Sequence, residues 1–568
     1  MSLDYNSIMA KKPKLIILIL LLLFIFTISI TAQNTTMKHL FHQNYQLTGN
    51  QQFNNAGPFQ FENSSTEFAL EFVILDHVKS NVGFTVRNQN GKKLFQYLAD
   101  SIRIAKTTAA AGAKVKSYWR HIVVNYFESG VEVFENGLKT IDFNTDTITA
   151  VSAVEINGIF DDEYGMQLND MLKSFVFHAQ PLSPESITES YNTFIASVQN
   201  GTLSGTEPHF IVHPFLALPT AKSVNINWET NLPSTAAVKF GKAYPLSGSV
   251  QTEKENAIHQ ITLTGLEPGT NYYAEVEPSI NGMQLPPIKL SFKTAPESSE
   301  AFRFGIIADT ESRPFINTKI ARHLWDNRPD FFLLLGDITD GGQKDFKDQW
   351  TFEFFAGMNS LMQRVPVVPV AGNGDADLYW FNRYFNPPAS EGFYKHTWSN
   401  TDFFVLHSSK GEDFEKGGKQ YNWLENELEQ SKAAWKIVLL HHAPYSSDDD
   451  DFGNSWQGPT NLGDPQIRKL VPLFDKYNVD FVMFGHLHCY ERSWPLKNNA
   501  IDSQNGTVYL MTGGAGGSLE NFAPHHTWFN AKTFRGYHYS IANVFENTIR
   551  IDTYNIDGSL IDFYEKQK

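Results

Sequence analysis

VDFVMFGHLHCYER, residues 479–492, runs an apolar segment straight into a glycine and two histidines one residue apart. Short runs rich in valine and aromatic side chains suit a strand that is covered on both faces. In an extended segment, side chains at i and i+2 share a side. His486 and His488 are therefore expected to converge on one point at the strand's mouth, either as half of a metal site or as ordinary polar loop residues.

The same grammar recurs upstream. "FRFGIIAD" (302–309), "DFFLLLGD" (330–337), "VPVVPVAGN" (365–373), "FFVLHSS" (403–409) and "WKIVLLHH" (435–442) are short apolar runs, each ending in a polar cluster. Helical patterns such as "NTKIARHLWDN" (317–327) and "QYNWLENELEQSK" (420–432) lie between them. Strands alternating with helices predict an α/β layered domain with its site at the strand carboxyl ends. The alternating tail, 537–566, is expected to complete one of its sheets. At those strand ends stand Asp309, Asp337, Asn373, His441, His486 and His488. Each alone has a bland reading as cap, turn or packed residue. Together, carboxylate, amide oxygen and imidazole suit a pair of divalent ions such as Zn, Mn or Fe.

Two β-rich stretches precede this region. In 34–196, "VEVFENGLKT" (131–140) alternates at period two and turns at Asn136-Gly137, a hairpin signal. "SYWRHIVVNYFESGVEVFENGLK" (117–139), followed by "MLKSFVFHAQPLSPESI" (171–187), resembles the end of a laminin-G or concanavalin-like jelly roll, with Ser183-Pro184 opening a helix. An unrelated β-sandwich is the alternative. The resemblance implies a carbohydrate ligand, although no ligand residue is readable. "FIASVQNGTLSGT" (194–206) reads as a linker. In 207–296, "SVNINWET" (223–230) puts Val224, Ile226 and Trp228 on one strand face and Asn225, Asn227 and Glu229 on the other. With "LTGLEPGTNYYAEVE" (263–277) this stretch resembles the fibronectin-III-like domain that precedes the catalytic domain of purple acid phosphatases, where its role is support.

Composition narrows the partners. Of 568 residues, 42% are hydrophobic, enough for several cores, so the chain is expected to be multidomain. A formal charge of −15 argues against nucleic acid or an anionic membrane surface as the main partner. Lys11, Lys12 and Lys14, the apolar run 15–30 and Thr31-Ala32-Gln33 read as a signal peptide over 1–32, with a retained span as the alternative. Cleavage leaves no stable membrane span and an exported chain: periplasmic, cell-surface or secreted. Cys489 is the sole cysteine, so no intrachain disulfide framework accompanies export.

"DTE" (309–311), "GDITD" (336–340), "GNGD" (372–375), "VLLH" (438–441) and "GHLH" (485–488) follow in order the motifs of the calcineurin-like metallophosphoesterases. The chain most resembles the purple-acid-phosphatase branch, and "TVYLMTGGAGG" (507–517) adds to that likeness. The resemblance implies an α/β sandwich over 300–568 preceded by two all-β sandwich domains. It implies a binuclear hydrolase in which hydroxide held between two ions, Fe, Mn or Zn, attacks a small-molecule or glycan-linked phosphate ester. By motif, Asp337 bridges the ions, Asp309 and His488 hold the first, and Asn373, His441 and His486 hold the second.

Three departures follow from the motifs. Asp340 replaces the tyrosine that colours the purple enzymes, so this chain is expected to be colourless. Glu311 stands where related non-purple members place a ligand, and is assigned above Asp340 as the substitute. Gly374 replaces the histidine that touches the scissile phosphate in the family, with His442, Arg313 and His323 as stand-in candidates. Restoring histidine there is expected to raise hydrolysis if the site is merely impaired. "SSDDDDFGNSWQG" (446–458) is read as a solvated loop, and His525 and His526 as exposed loop residues. The alternatives to an exported phosphatase are a phosphodiesterase and a catalytically weak surface protein that binds carbohydrate.

Overall fold

The computed structural model describes residues 45–48, 59–75, 83–88, 90–98, 101–104, 107–110, 119–144, 150–159, 172–200, 208–252, 254–449 and 460–568. The leader assigned to 1–32 lies outside them. Among the described residues no helix is long and apolar enough to cross a membrane. The chain divides into two compact units, Met1–Ile195 and Ala196–Lys568.

The first unit is a sandwich of two six-stranded antiparallel sheets. The strand Phe68–Leu75 shows how sequence produces it: Phe68, Leu70, Phe72 and Ile74 enter the core between the sheets, and the intervening residues take the outer face. Aromatic rings fill that core, with Phe72 within 5.2 Å of both Phe95 and Phe175. The hairpin turns where expected, Asn136 and Gly137 both having positive φ (52° and 80°). The helix Pro184–Asn200 starts at its expected cap, Ser183 Oγ accepting from the Ser186 N–H at 3.2 Å. It packs through Ile187 on Ala69, Val123 and Phe134 of the outer face. Of the linker expected over 194–206, residues 194–200 are helical and 201–206 lie outside the described residues. Phe194 is buried with its ring 5.8 Å from that of His121, so "FIASVQN" stays helical to Asn200.

In the second unit, strands between Phe210 and Lys293 enclose a small core around Trp228, which stacks on His259 at 4.6 Å. Val224, Ile226 and Trp228 share the core face, and the opposite polar face is buried as well. Asn225 donates to the Phe385 and Asn386 carbonyls, and Glu229 accepts from Tyr384 Oη at 2.7 Å and pairs with Lys347. That face docks on the helix Tyr379–Phe385. Ala217 pairs in parallel with Val367, so the sandwich sheet continues into the α/β region.

The α/β region stacks two sheets. Val367–Val370, Phe331–Leu335 and Phe302–Ile307 pair in parallel, and the tail strands join antiparallel through His538–Phe545. Thr401–Val405, Trp435–Leu439, Phe481–Phe484 and Val508–Thr512 form the parallel centre of the second sheet. These parallel strands are buried on both faces, which is why they read as unbroken apolar runs.

Candidate metal centre

Five of the parallel strands each deliver one polar residue just past the strand end: Asp309, Asp337, Asn373, His441 and His486. Asp309, Glu311, Asp337 and His486 all take left-handed backbone conformations (φ 57°, 34°, 40° and 76°). Non-glycine residues there cost about 1–3 kcal/mol each and gather at functional sites. The sharp turns fold the side chains back over the strand ends. Gly485 allows one of them: a Cβ at that position would lie 2.4 Å from Asp309 Oδ2.

The side chains form two neighbouring groups, Asp309 with Glu311 and His488, and Asp337 with His441 and His486. Within each group the potential ligand atoms lie within 4.8 Å of one another. His488 Nε2 is 3.0 Å from Glu311 Oε1 and 3.6 Å from Asp309 Oδ1. His441 Nε2 is 3.2 Å from Asp337 Oδ1, 3.1 Å from Asn373 Oδ1 and 3.9 Å from Asp309 Oδ1. His486 and His488 thus diverge to adjacent points. The expected convergence assumed an extended backbone, and the positive φ of His486 turns the chain instead.

The donor set fits divalent cations. His441 Nδ1 bonds the Leu335 carbonyl at 2.9 Å and His488 Nδ1 the Ser518 carbonyl at 2.7 Å. Both rings donate from Nδ1, which turns Nε2 toward the carboxylates, the nitrogen a metal ion would take in place of a proton. Burial pushes the Asp309 carboxyl well above its usual range; His488 opposes the rise, and Asp337 and Glu311 add to it. Burial also works against charge on His488, but Glu311 and Asp309 outweigh it and hold the imidazole well above its ordinary value. Three carboxylates packed this closely call for compensating positive charge, which two bound cations would provide.

The other expected residues are placed differently. His442 lies at the centre, its ring 4.4 Å from that of His486. Arg313 is committed to the Gly516 carbonyl at 2.6 Å and to Ser518 Oγ at 2.8 Å. His323 is not in the site: it stacks on Tyr539 at 5.3 Å and bonds the Ile556 carbonyl at 2.9 Å, docking its helix on the tail. Asp340 belongs to neither ligand group, whereas Glu311 does. Ser446, Ser447 and Asp448 are buried rather than solvated, because Glu491 accepts from Ser447 N at 3.0 Å and Ser447 Oγ at 3.1 Å. Residues 450–458 of that loop lie outside the described residues, and His525 and His526 are exposed.

Gly374 has a physical reason the motif did not carry. Its N–H donates to Asp337 Oδ1 at 2.8 Å, and a Cβ there would lie 2.0 Å from the Thr339 carbonyl oxygen. The backbone of 339–341 fills the space a side chain would need, so histidine cannot simply be restored. Asp375, Ser408 and Glu520 also escaped the sequence reading. Asp375 accepts from Ile338 N, Gly372 N and Thr339 Oγ1 at 3.0–3.3 Å, tying two ligand turns together. Glu520 accepts the His488 N–H at 2.8 Å. Asp375 closes the "GNGD" stretch and could have been found there, whereas Ser408 and Glu520 carry no motif signal, since only the fold brings them beside the candidate ligands.

Residues 302–490 match the family model for calcineurin-like phosphoesterases. Purple acid phosphatase 15 of Arabidopsis thaliana is 26% identical over 327 residues, half of this chain and 58% of that protein. An uncharacterised protein of Mycobacterium tuberculosis is 28% identical over 47% of this chain and 60% of its own length. The chain thus spans somewhat under two thirds of these relatives. A purple acid phosphatase isolated from yellow lupin seeds shares the fold at TM-score 0.59 and 17% identity, with 93% of each chain covered. Segment 302–490, which carries both candidate ligand groups at its strand ends, thus matches the calcineurin-like phosphoesterase model, and about half of the chain is similar to purple acid phosphatases.

Proposed function

We propose that the chain is an exported phosphoesterase that works with two divalent metal ions. The observation that carries the reading is the pair of candidate ligand groups in which His441 and His488 donate from Nδ1 to backbone carbonyls and so turn Nε2 toward the clustered oxygens. Asp309, Glu311 and His488 would hold one ion, Asn373, His441 and His486 the other, and Asp337 would reach both. Bound ions would supply an activated water and polarise the phosphoryl oxygens. The protein's own contribution is placement. Gly374 N–H fixes the Asp337 carboxylate, His486 N–H holds Asp309 at 3.0 Å, and Asp375 clamps the turns between them. Glu311 in place of an aromatic ligand gives an oxygen-rich first site, which favours Mn, Mg or ferrous iron over zinc. A phosphate monoester, small or glycan-linked, is the assigned substrate.

The test is hydrolysis of a panel of monoesters and diesters by the metal-loaded chain beside Asp337→Asn. Turnover of monoesters that the variant lacks supports the reading; equal, negligible rates in both contradict it. Gly374 favours a second reading, a metal-holding chain with weak turnover whose first domain binds glycan. The same panel separates the two.

A further inference from the structure

The family motif places a histidine after the Asn373 position, and here the backbone of Thr339 takes its room. The group that would replace it must present a donor to the phosphoryl oxygens without needing space at 374. Of the other candidates, Arg313 has both terminal nitrogens donating to Gly516 and Ser518, and His323 lies on the tail. His442 differs. Its Nδ1 sits 2.8 Å from Ser408 Oγ. That oxygen already accepts the backbone N–H groups of His441 at 3.1 Å and His442 at 3.0 Å. A hydroxyl has one proton, and with two N–H groups directed at its lone pairs the proton is left for His442 Nδ1. The ring proton of His442 is then on Nε2, which makes no hydrogen bond to the described residues. The ring packs against His486, a ligand of the second group, and its centroid is 5.2 Å from that of His441.

We propose that His442 donates from Nε2 to a phosphoryl oxygen of the bound ester, and that Ser408 is the positioning residue that fixes its tautomer and orientation. This rests on the phosphoesterase reading above. A donor aimed at charge that develops in the transition state contributes about 10²–10³ in rate. Ser408 lies at the end of Thr401–Val405 and belongs to no motif, so the pair exists only once the sheet is assembled.

The experiment compares the metal-loaded full chain with His442→Ala, Ser408→Ala and the double variant. Metal content, kcat and KM on a phosphate monoester, and binding of inorganic phosphate by calorimetry are measured for each. His442→Ala should keep its metal, lose about 10²-fold in kcat/KM with a fall in kcat, and bind phosphate at least about tenfold more weakly. Ser408→Ala should lose part of this, and adding it to His442→Ala should cost nothing more, since Ser408 acts through that ring. A His442→Ala protein with full metal, parental kcat and parental phosphate affinity overturns the assignment. Additive losses overturn the role of Ser408. If the parent binds metal and phosphate but hydrolyses nothing, the phosphoesterase reading fails, and phosphate affinity still decides whether His442 is a donor. A parent that binds neither overturns both.

Discussion

Replacing Gly374 tests whether the motif or the packing governs this site. A Cβ at 374 would lie 2.0 Å from Thr339 O and 3.3 Å from Gly341 N, where ordinary contact begins near 3.4 Å. Relief requires the 339–341 backbone to retreat by at least about 1 Å. That backbone follows Asp337 directly, and the Gly374 N–H is itself bonded to Asp337 Oδ1. A displacement of about 1 Å in a reacting constellation can cost about 10²-fold in rate, and overpacking typically costs about 1–3 kcal/mol. Gly374→His and Gly374→Ala are therefore expected to behave alike. Both should lose stability, lowering Tm by several degrees, and both should lose metal or turnover. Thermal denaturation, metal analysis and monoester hydrolysis on the two variants provide the assay. A Gly374→His protein of parental stability and metal content that hydrolyses tenfold faster would refute the reasoning. It would show that the turn yields to a side chain and that only the imidazole was missing.

Other outcomes follow from buried groups. Glu71 is buried, which alone would raise its pKa, but hydrogen bonds from His121 and His178 and contact with Ser190 hold the carboxyl well below its usual range. A depressed folded value means the stabilisation is present above the unfolded value of 4.5 and is lost as pH falls through the lower folded one. Acid titration of stability in the first unit should therefore be less steep in Glu71→Gln than in the parent. Asp375→Ala strands at least two buried backbone N–H groups, at about 1–3 kcal/mol each, and should lower both Tm and metal retention. Trp228→Ala empties the core of the small sandwich and should cost about 3–5 kcal/mol in denaturant unfolding.

Much of the α/β region was legible because parallel strands covered on both faces have to be apolar throughout, and their ends have to turn polar. The candidate ligand residues were legible for the same reason, each sitting within a few residues of a strand end. What stayed hidden depends on contacts between distant segments. The Thr339 carbonyl excludes a side chain at 374, and Ser408 meets His442 only across neighbouring strands. Asn225 and Glu229 alternate correctly with the core residues, yet nothing local indicates that the helix Tyr379–Phe385 covers them. His486 was read on an extended template, although a glycine immediately before it allows the turn that separates it from His488. His323 looked available because histidine has no local signal for the face of a helix that meets the tail.

Metal stoichiometry tests the central claim most directly. The purified chain, dialysed gently and analysed for elements, should carry about two divalent ions per polypeptide. His441→Ala and His488→Ala should each lose about one, because each histidine serves a different ligand group. A parent chain near zero that takes up no Mn, Zn or Fe when these are supplied would contradict the account.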